Sequence, residues 1–427
     1  MAAVYLARRG YQVDIFELRP DLRAADTRGP SMNLGLSRRG IESLRRVGLA
    51  ERVLTLAIPM TGRVIHSLDG STVRQPYGRD GSEVIHAVKR NDINAVLVDA
   101  AEATGNVRLA FGRRCIEFDR DSGSARFRNE VTGEEEMASA DFWVGADGLF
   151  SLVRKAMQHR LRADYAQEFL DWGWRELTIP PGPGGSFQLE KNAFHLWPRG
   201  GSLLFAHPNL DGSFTCSLVL PYEGPVSFAS LDRPRSVLDF FKRTYPDLVQ
   251  LTTDLSEQFL ANPVVSLVTI RTSPWYYRDR VVLVGDGAHA VVPFYAQGMN
   301  AAFEDCAVLD QCLDRRSDRA AAFAEYQAFR KRHTDALAEM SKQNFVELRD
   351  KVRSPARQVK NKLDNLLNRW LGERWASLHA RVTNTTIPYC DALDLERRQN
   401  RILGWTGFSL GLAALLGIGR ILAKRKP

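Results

Sequence analysis

Residues 281–305, VVLVGDGAHAVVPFYAQGMNAAFED, constrain the fold more than any other stretch of the chain. An apolar run, Val281 to Val284, stops at Gly285-Asp286-Gly287, and a helix-compatible sequence resumes after Gly298-Met299. A strand ending in such a turn brings a carboxylate and free backbone N–H groups to one point, which suits a hydroxyl-rich, phosphate-bearing ligand. A second apolar run, residues 140–146, enters Asp147-Gly148 in the same way. A single Gly-Asp turn is compatible with a plain buried strand and loop. Two of them, with Pro293, Gln297 and Asn300 set in an apolar stretch, point to a nucleotide-binding sheet.

The N-terminus reads as more of that sheet. Residues 1–10 have the period of a short helix, Gly10 ends it, residues 11–16 form a strand and Glu17 closes it. Helix, glycine, strand and terminal acid make the second half of a dinucleotide-binding βαβ unit. The apolar strand and G-x-G-x-x-G turn of the first half do not precede it in this sequence. The expectation is a reading frame that starts about twenty residues late within that unit. An ordinary amphipathic N-terminal helix is the competing reading. No signal-peptide pattern is present at the start.

Between the two turns the chain changes character. Periodicity predicts helices over 36–47 and 90–102, and strands over 84–88, 107–111, 115–119 and 124–129. Asp69-Gly70 predicts a hairpin turn, which places Arg63 and Tyr77 in its flanking arms, where they can face one cavity. Residues 165–220 hold Trp172, Trp174, Phe187, Phe194, His195, Trp197, Phe205 and Phe214 in short β-rich runs broken by glycine and proline. They read as an antiparallel sheet inserted within the first domain, since the chain returns to the nucleotide-binding sheet at 280–284. His195 is expected to pack beside Trp197. After Phe303 the pattern is helical, over 303–314, 319–340, 341–349 and 361–377. The expected division is 1–160 (with 60–88 serving the substrate side), 161–275, 276–318, 319–401 and a tail, 402–427.

A chain of 427 residues with 44% hydrophobic content can bury one large core or two ordinary ones. Its five scattered cysteines form no disulfide framework or metal-ligand cluster, which predicts a reducing, cytoplasmic setting and no metal. The net charge of +8 is spread widely, and no motif supports nucleic-acid binding. Residues 402–419 carry no charge and precede the basic Lys424-Arg425-Lys426. Such a segment nearly suffices to cross a hydrocarbon core of about 30 Å. A membrane contact and a soluble tail are both open, since five glycines interrupt it.

The strings YLARRGYQVDIFELRPD at 5–21, RGPSMNLGLSRRG at 28–40, QPYGRDGSEVIHAVKR at 75–90, VGADGLFSLVR at 144–154, ELTIPP at 176–181, FHLWPR at 194–199 and GDGAHAVVPFYAQGMNAAFED at 285–305 carry a resemblance. Across nearly its whole length the chain resembles the flavin-dependent aromatic hydroxylases, and within them the kynurenine-hydroxylating branch. The resemblance implies an α/β fold: an FAD-binding Rossmann-like parallel sheet lacking its first strand here, an inserted antiparallel substrate domain and a C-terminal helical region. It also implies hydroxylation of L-kynurenine to 3-hydroxykynurenine with O2, NADPH and FAD, through a flavin C4a-hydroperoxide.

Residue by residue, the resemblance implies that Glu17 holds the adenosine ribose of FAD and Arg90 approaches the pyrophosphate. Asp147 lies in the motif for FAD and NADPH handling, and Asp286 holds the ribityl chain or pyrophosphate. Gly298, Met299 and Asn300 lie beside the flavin ring. Arg63 and Tyr77 take the substrate carboxylate, an assignment their donors suit, and Asn344 lines the same pocket. His379 falls where the family has a further substrate-side tyrosine, with Tyr389 nearby as an alternative. Gly287 stands where alanine is usual. No catalytic side chain is assigned, because the cofactor carries the oxygen chemistry. Without the glycine-rich turn, the chain is expected to bind FAD poorly. A hydroxylase of another aromatic acid and a non-catalytic flavoprotein remnant acting as an interaction protein remain as alternatives.

Overall fold

The computed structural model describes residues 1–24, 32–77, 83–159, 162–351, 367 and 370–403. The nucleotide-binding part contains two parallel strand pairs. Val13–Glu17 runs alongside Val107–Phe111, and Trp143–Gly145 alongside Val281–Leu283. Tyr276–Tyr277 flanks the second pair in the antiparallel sense. All three residues of Val281–Leu283 are buried, as a continuous apolar run predicts for a strand covered on both faces. They pack with Val308, Leu309 and Cys312 of the Gly298–Arg315 helix and with Phe323 and Tyr326 of the Arg319–Val346 helix. The strand expected over 140–146 shrinks to Trp143–Gly145, because Phe142 turns aside to meet Tyr11 and Phe323.

The inserted region is a seven-stranded sheet in the order Val265–Ser273, Asp164–Ile179, Phe214–Pro221, Leu203–Pro208, Phe194–Pro198, Gly62–His66, Thr72–Pro76. The hairpin turning at Asp69-Gly70 therefore joins this sheet, through a parallel pairing that sets Arg63 opposite Phe194. One face, with Leu177, Ile179, Leu204 and Leu218, is covered by the helices Pro234–Thr244 and Leu255–Ala261. The other face presents Trp174, Leu196, Phe205 and Val219 to Val292, Phe294 and Phe345. The return segment is thus held between the helices behind it and the sheet in front.

A three-stranded sheet of Asn33–Leu36, Ile85–Lys89 and Ala57–Met60 completes this part. Leu36 belongs to its first strand, opposite His86, and the following helix runs over Arg38–Arg46. Thr61 alone separates the Ala57–Met60 and Gly62–His66 strands, which lie in different sheets. The strands at 113–119 and 124–129 gain a third partner, Glu135–Ser139, whose polar and exposed sequence gives no strand periodicity. Among the described residues no helix is long and apolar enough to cross a membrane. Residues 404–427, which hold nearly all of the apolar tail, and 361–366, 368 and 369 of the helix expected over 361–377 lie outside the described residues; within that span Gly372–Trp375 is a 3-10 turn.

Candidate active site

The turn at 285 is built on backbone that favours glycine: Gly285 has φ 59°. A Cβ at Gly287 would lie 3.1 Å from the Gly145 carbonyl oxygen, so glycine relieves a tight approach between the two Asp turns. Further on, Ala296 adopts a left-handed φ of 51°, uncommon for a residue with a side chain. Asn300 stabilises that bend. Its Nδ2 donates to the Ala296 and Gly35 carbonyls, both at 2.8 Å, and its Oδ1 accepts from the Ser37 backbone N–H at 2.9 Å. The side chain expected beside the flavin is thus fully engaged in fixing the helix start against the Asn33–Leu36 strand. Gly298 opens that helix, and a Cβ there would meet nothing within 4 Å. The N-terminus of an 18-residue helix therefore faces open space at Gly298.

Four ionisable groups converge in the same cleft. Arg90, at the start of its helix, feels the carboxylates of Asp286, Glu17 and Glu176. Its guanidinium is held below the ordinary value by the surrounding protein and by Arg19, with the three acids opposing. Asp286 is open at its tip, but the protein packed around it raises its carboxyl, which His289 and Arg90 partly offset. Glu17 accepts from the Arg19 backbone N–H at 2.9 Å. Asp147 is committed to structure: it takes the hydroxyl of Ser151 and the backbone N–H of Val153, the latter at 3.1 Å. It thereby orders the Leu152–Gln158 helix, whose Arg154 donates to the Gly287 carbonyl at 2.9 Å.

Three of the residues expected on the substrate side, Arg63, Tyr77 and His379, also come together. Tyr77 stacks on His379 with ring centroids 5.3 Å apart, and Tyr295 lies 6.1 Å from the same imidazole. Arg63, whose Nε donates to Gln75 at 2.9 Å, acts electrostatically on both Tyr77 and His379. Burial pushes the Tyr77 phenol up to about 12, so it remains a donor, with Arg63 opposing. Burial, aided by Arg63, pushes His379 down to about 3, so it remains neutral. Asn344 Nδ2 donates to the Phe294 carbonyl at 2.7 Å, and Phe294 stacks on Phe345 at 4.4 Å. Residues 78–82, in the middle of the 75–90 string quoted above, lie outside the described residues.

A buried polar network behind the cleft had no sequence signal. Asp305, fully buried, takes the Gly285 N–H at 2.9 Å, His289 Nε2 at 2.5 Å and Arg330 Nε at 2.7 Å. Burial raises its carboxyl, but His289 and Arg330 more than offset this and hold it below the ordinary value. Arg330 and Arg39 both pair with Glu304. Arg39 lies 4.0 Å over the Tyr389 ring, and the Tyr389 hydroxyl donates to Gln297 Oε1 at 3.0 Å. Tyr389 therefore belongs to this network, while His379 is the residue set against Tyr77. His195 is bonded to His66 at 2.9 Å and to the Glu190 carbonyl at 2.9 Å; its ring lies 6.0 Å from that of Trp197, as expected, and His66 also stacks on Trp197, at 4.1 Å.

The kynurenine 3-monooxygenase of Salinispora arenicola is 51% identical over 432 aligned positions, spanning 100% of this chain and 95% of that protein. The chain belongs to the kynurenine 3-monooxygenase family. The Salinispora tropica member is 49% identical, over 97% of this chain and 92% of its own. The FAD-binding domain family matches residues 1–196 and 265–341, leaving between them the Leu203–Pro208 and Phe214–Pro221 strands and the helices that cover the sheet. A solved tetrameric 2-methyl-3-hydroxypyridine-5-carboxylic acid oxygenase shares the fold, with a TM-score of 0.67 at 20% identity, over 83% of this chain and 91% of that one. The chain is thus a flavin-dependent monooxygenase of this family, with a Rossmann-like part, an inserted antiparallel sheet and a C-terminal helical region. The residues present fit FAD: the helix start at Gly298 is open, and the charges of Arg90 and Asp286 face one another closely enough to interact.

Proposed function

We propose that this protein hydroxylates L-kynurenine to 3-hydroxykynurenine, consuming NADPH and O2. The observation that carries the reading is the grouping of Arg63, Tyr77, His379 and Tyr295, in a chain of this family. FAD, when bound, supplies the electron transfer from NADPH and the activation of O2. Glu17, Arg90, Asp286 and the backbone at Gly298 and Met299 would hold it, and Asp147 keeps the neighbouring helix in place. Arg63 gives the substrate carboxylate a charge and Tyr77 a directed hydrogen bond. Neutral His379 and Tyr295 give the amino-acid end flat surfaces to pack on. Phe294, Phe345 and Trp172 exclude water from the aromatic ring. The substrate's own ring amine enriches the neighbouring carbon, so no protein base is assigned.

By this reading the first and return segments hold the cofactor, while residues 60–88 and the inserted strands hold the substrate. The test is kynurenine-dependent NADPH oxidation with 3-hydroxykynurenine measured as product. Product from an anthranilate-like or phenolic acid, and none from kynurenine, would replace the substrate but keep the chemistry.

A further inference from the structure

Glu176 lies in the Asp164–Ile179 strand, in the row Glu176–Ser217–Phe205–Leu196–Ile65 that runs across the sheet. Phe205, Leu196 and Ile65 of that row belong to the core on the cleft-facing side, as does Trp174 two residues before Glu176. The flanking Leu177 points the other way, and Arg175 reaches the Phe259 carbonyl on that far side. The Glu176 carboxyl is therefore presented to the cleft, where its Oε1 is buried without a hydrogen-bond partner. Across the cleft its charged neighbour is Arg90.

We propose that Glu176 is a further residue of the cofactor cleft, which takes up a proton when an anionic group such as a pyrophosphate settles on Arg90. The inference rests on the proposed function, since it takes FAD as the anion. Burial pushes the Glu176 carboxyl up to about 7, and the Arg90 charge restrains the rise. An anion on Arg90 cancels that restraint, so the protonated acid is favoured in the complex. The other groups near the pair are Asp286, Glu17 and Arg19, which act on Arg90. One row away on the sheet, His207 is pushed down to about 4 by burial and then His195, and so stays neutral. Asn262 Nδ2 donates to the Glu176 main-chain carbonyl at 2.8 Å and leaves its carboxyl untouched. By linkage, FAD binds more tightly as pH falls through neutrality.

The experiment is a titration of the full chain with FAD near pH 7 in weak buffer, following protons by electrode and binding by flavin fluorescence. A group that starts half protonated can gain about half a proton per FAD bound. The expected result is such uptake by the natural chain, its loss in Glu176→Gln and its return in Glu176→Asp. The FAD dissociation constant is expected to weaken roughly three- to ten-fold from about pH 6 to about pH 8, and less than about two-fold in Glu176→Gln. Saturable FAD binding with equal proton uptake in the natural chain and Glu176→Gln overturns the role of Glu176 and leaves the proposed function standing. No saturable FAD binding by either form overturns both.

Discussion

His289 Nε2 and Asp305 Oδ2 lie 2.5 Å apart in the interior, and the same oxygen takes the backbone N–H of Gly285 at 2.9 Å. One carboxylate thus fixes both ends of the short Asp286–His289 helical turn, while its second oxygen holds Arg330. Removing it in Asp305→Ala strands two buried donors and a buried cation. The expected loss is about 3–5 kcal/mol of stability, read as a lower thermal midpoint. A midpoint equal to that of the natural chain would show that the triad is dispensable.

Asn300 distinguishes shape from chemistry. Its amide nitrogen faces two carbonyls and its oxygen faces an N–H. Asn300→Asp keeps the volume but sets a second oxygen against those carbonyls, with an expected cost of about 2–4 kcal/mol for the lost and reversed bonds. Chemical denaturation of the two forms measures the difference, and a cost under about 0.5 kcal/mol would contradict these contacts.

Gly298→Ala separates folding from cofactor binding. The added methyl meets nothing within 4 Å in the protein, so the thermal midpoint is expected to stay within a degree or so of the natural value. If the open helix start receives the cofactor, the same methyl intrudes on the ligand. FAD affinity is then expected to fall about ten-fold, the equivalent of roughly 1.4 kcal/mol. Unchanged FAD affinity by fluorescence titration would move the ligand away from Gly298.

Arg63→Met and Tyr77→Phe are expected to act on kynurenine binding. Loss of the charge-assisted contact should raise KM about 30- to 100-fold, and loss of the phenol about five-fold, each with a smaller change in kcat. Steady-state kinetics gives the split, and a fall confined to kcat would place both residues outside the carboxylate site.

Acid stability follows from the buried histidines. Burial holds His195 and His207 at about 4 and, with Arg63, His379 at about 3, below the ordinary histidine value. The unfolded chain binds these protons first, so their contribution is complete above about pH 6.5 and is lost as pH falls toward about 4. Thermal midpoints across that window should decline steeply, and His379→Gln should flatten the decline. A flat profile in the natural chain would count against neutral buried imidazoles.

The elements with local signatures were legible in the sequence. The 90–102 helix, the 107–111 and 124–129 strands and both Asp turns carry their periodicity or punctuation in adjacent residues. Leu36 was drawn into the following helix because its apolar spacing continues into Ile41 and Leu44, while its strand partner His86 is distant in sequence. The edge strand Glu135–Ser139 forms by backbone pairing and by the Glu136–Arg113 and Glu135–Arg126 ion pairs, which its own spacing does not announce. The hairpin that carries Arg63 and Tyr77 and the turn that carries Asp286 were legible, while the roles given to these residues came from the resemblance. Glu176 and the Asp305–Arg330 pair were not, because their meaning depends on which way a strand faces and which helices meet, and neither is encoded in spacing.

A single residue, Thr61, joins a strand of the small sheet to the strand that carries Arg63, and its N–H is tied to the Asn192 carbonyl at 3.0 Å. A connection this short has no slack. The arm that carries Arg63 and the small sheet whose Ile85–Lys89 strand leads into Arg90 are therefore geared together: neither slides along this chain direction without pulling the other. Under the proposed function, ligand recognition and cofactor seating share one rigid coupling, so a substitution that lengthens it should loosen both at once.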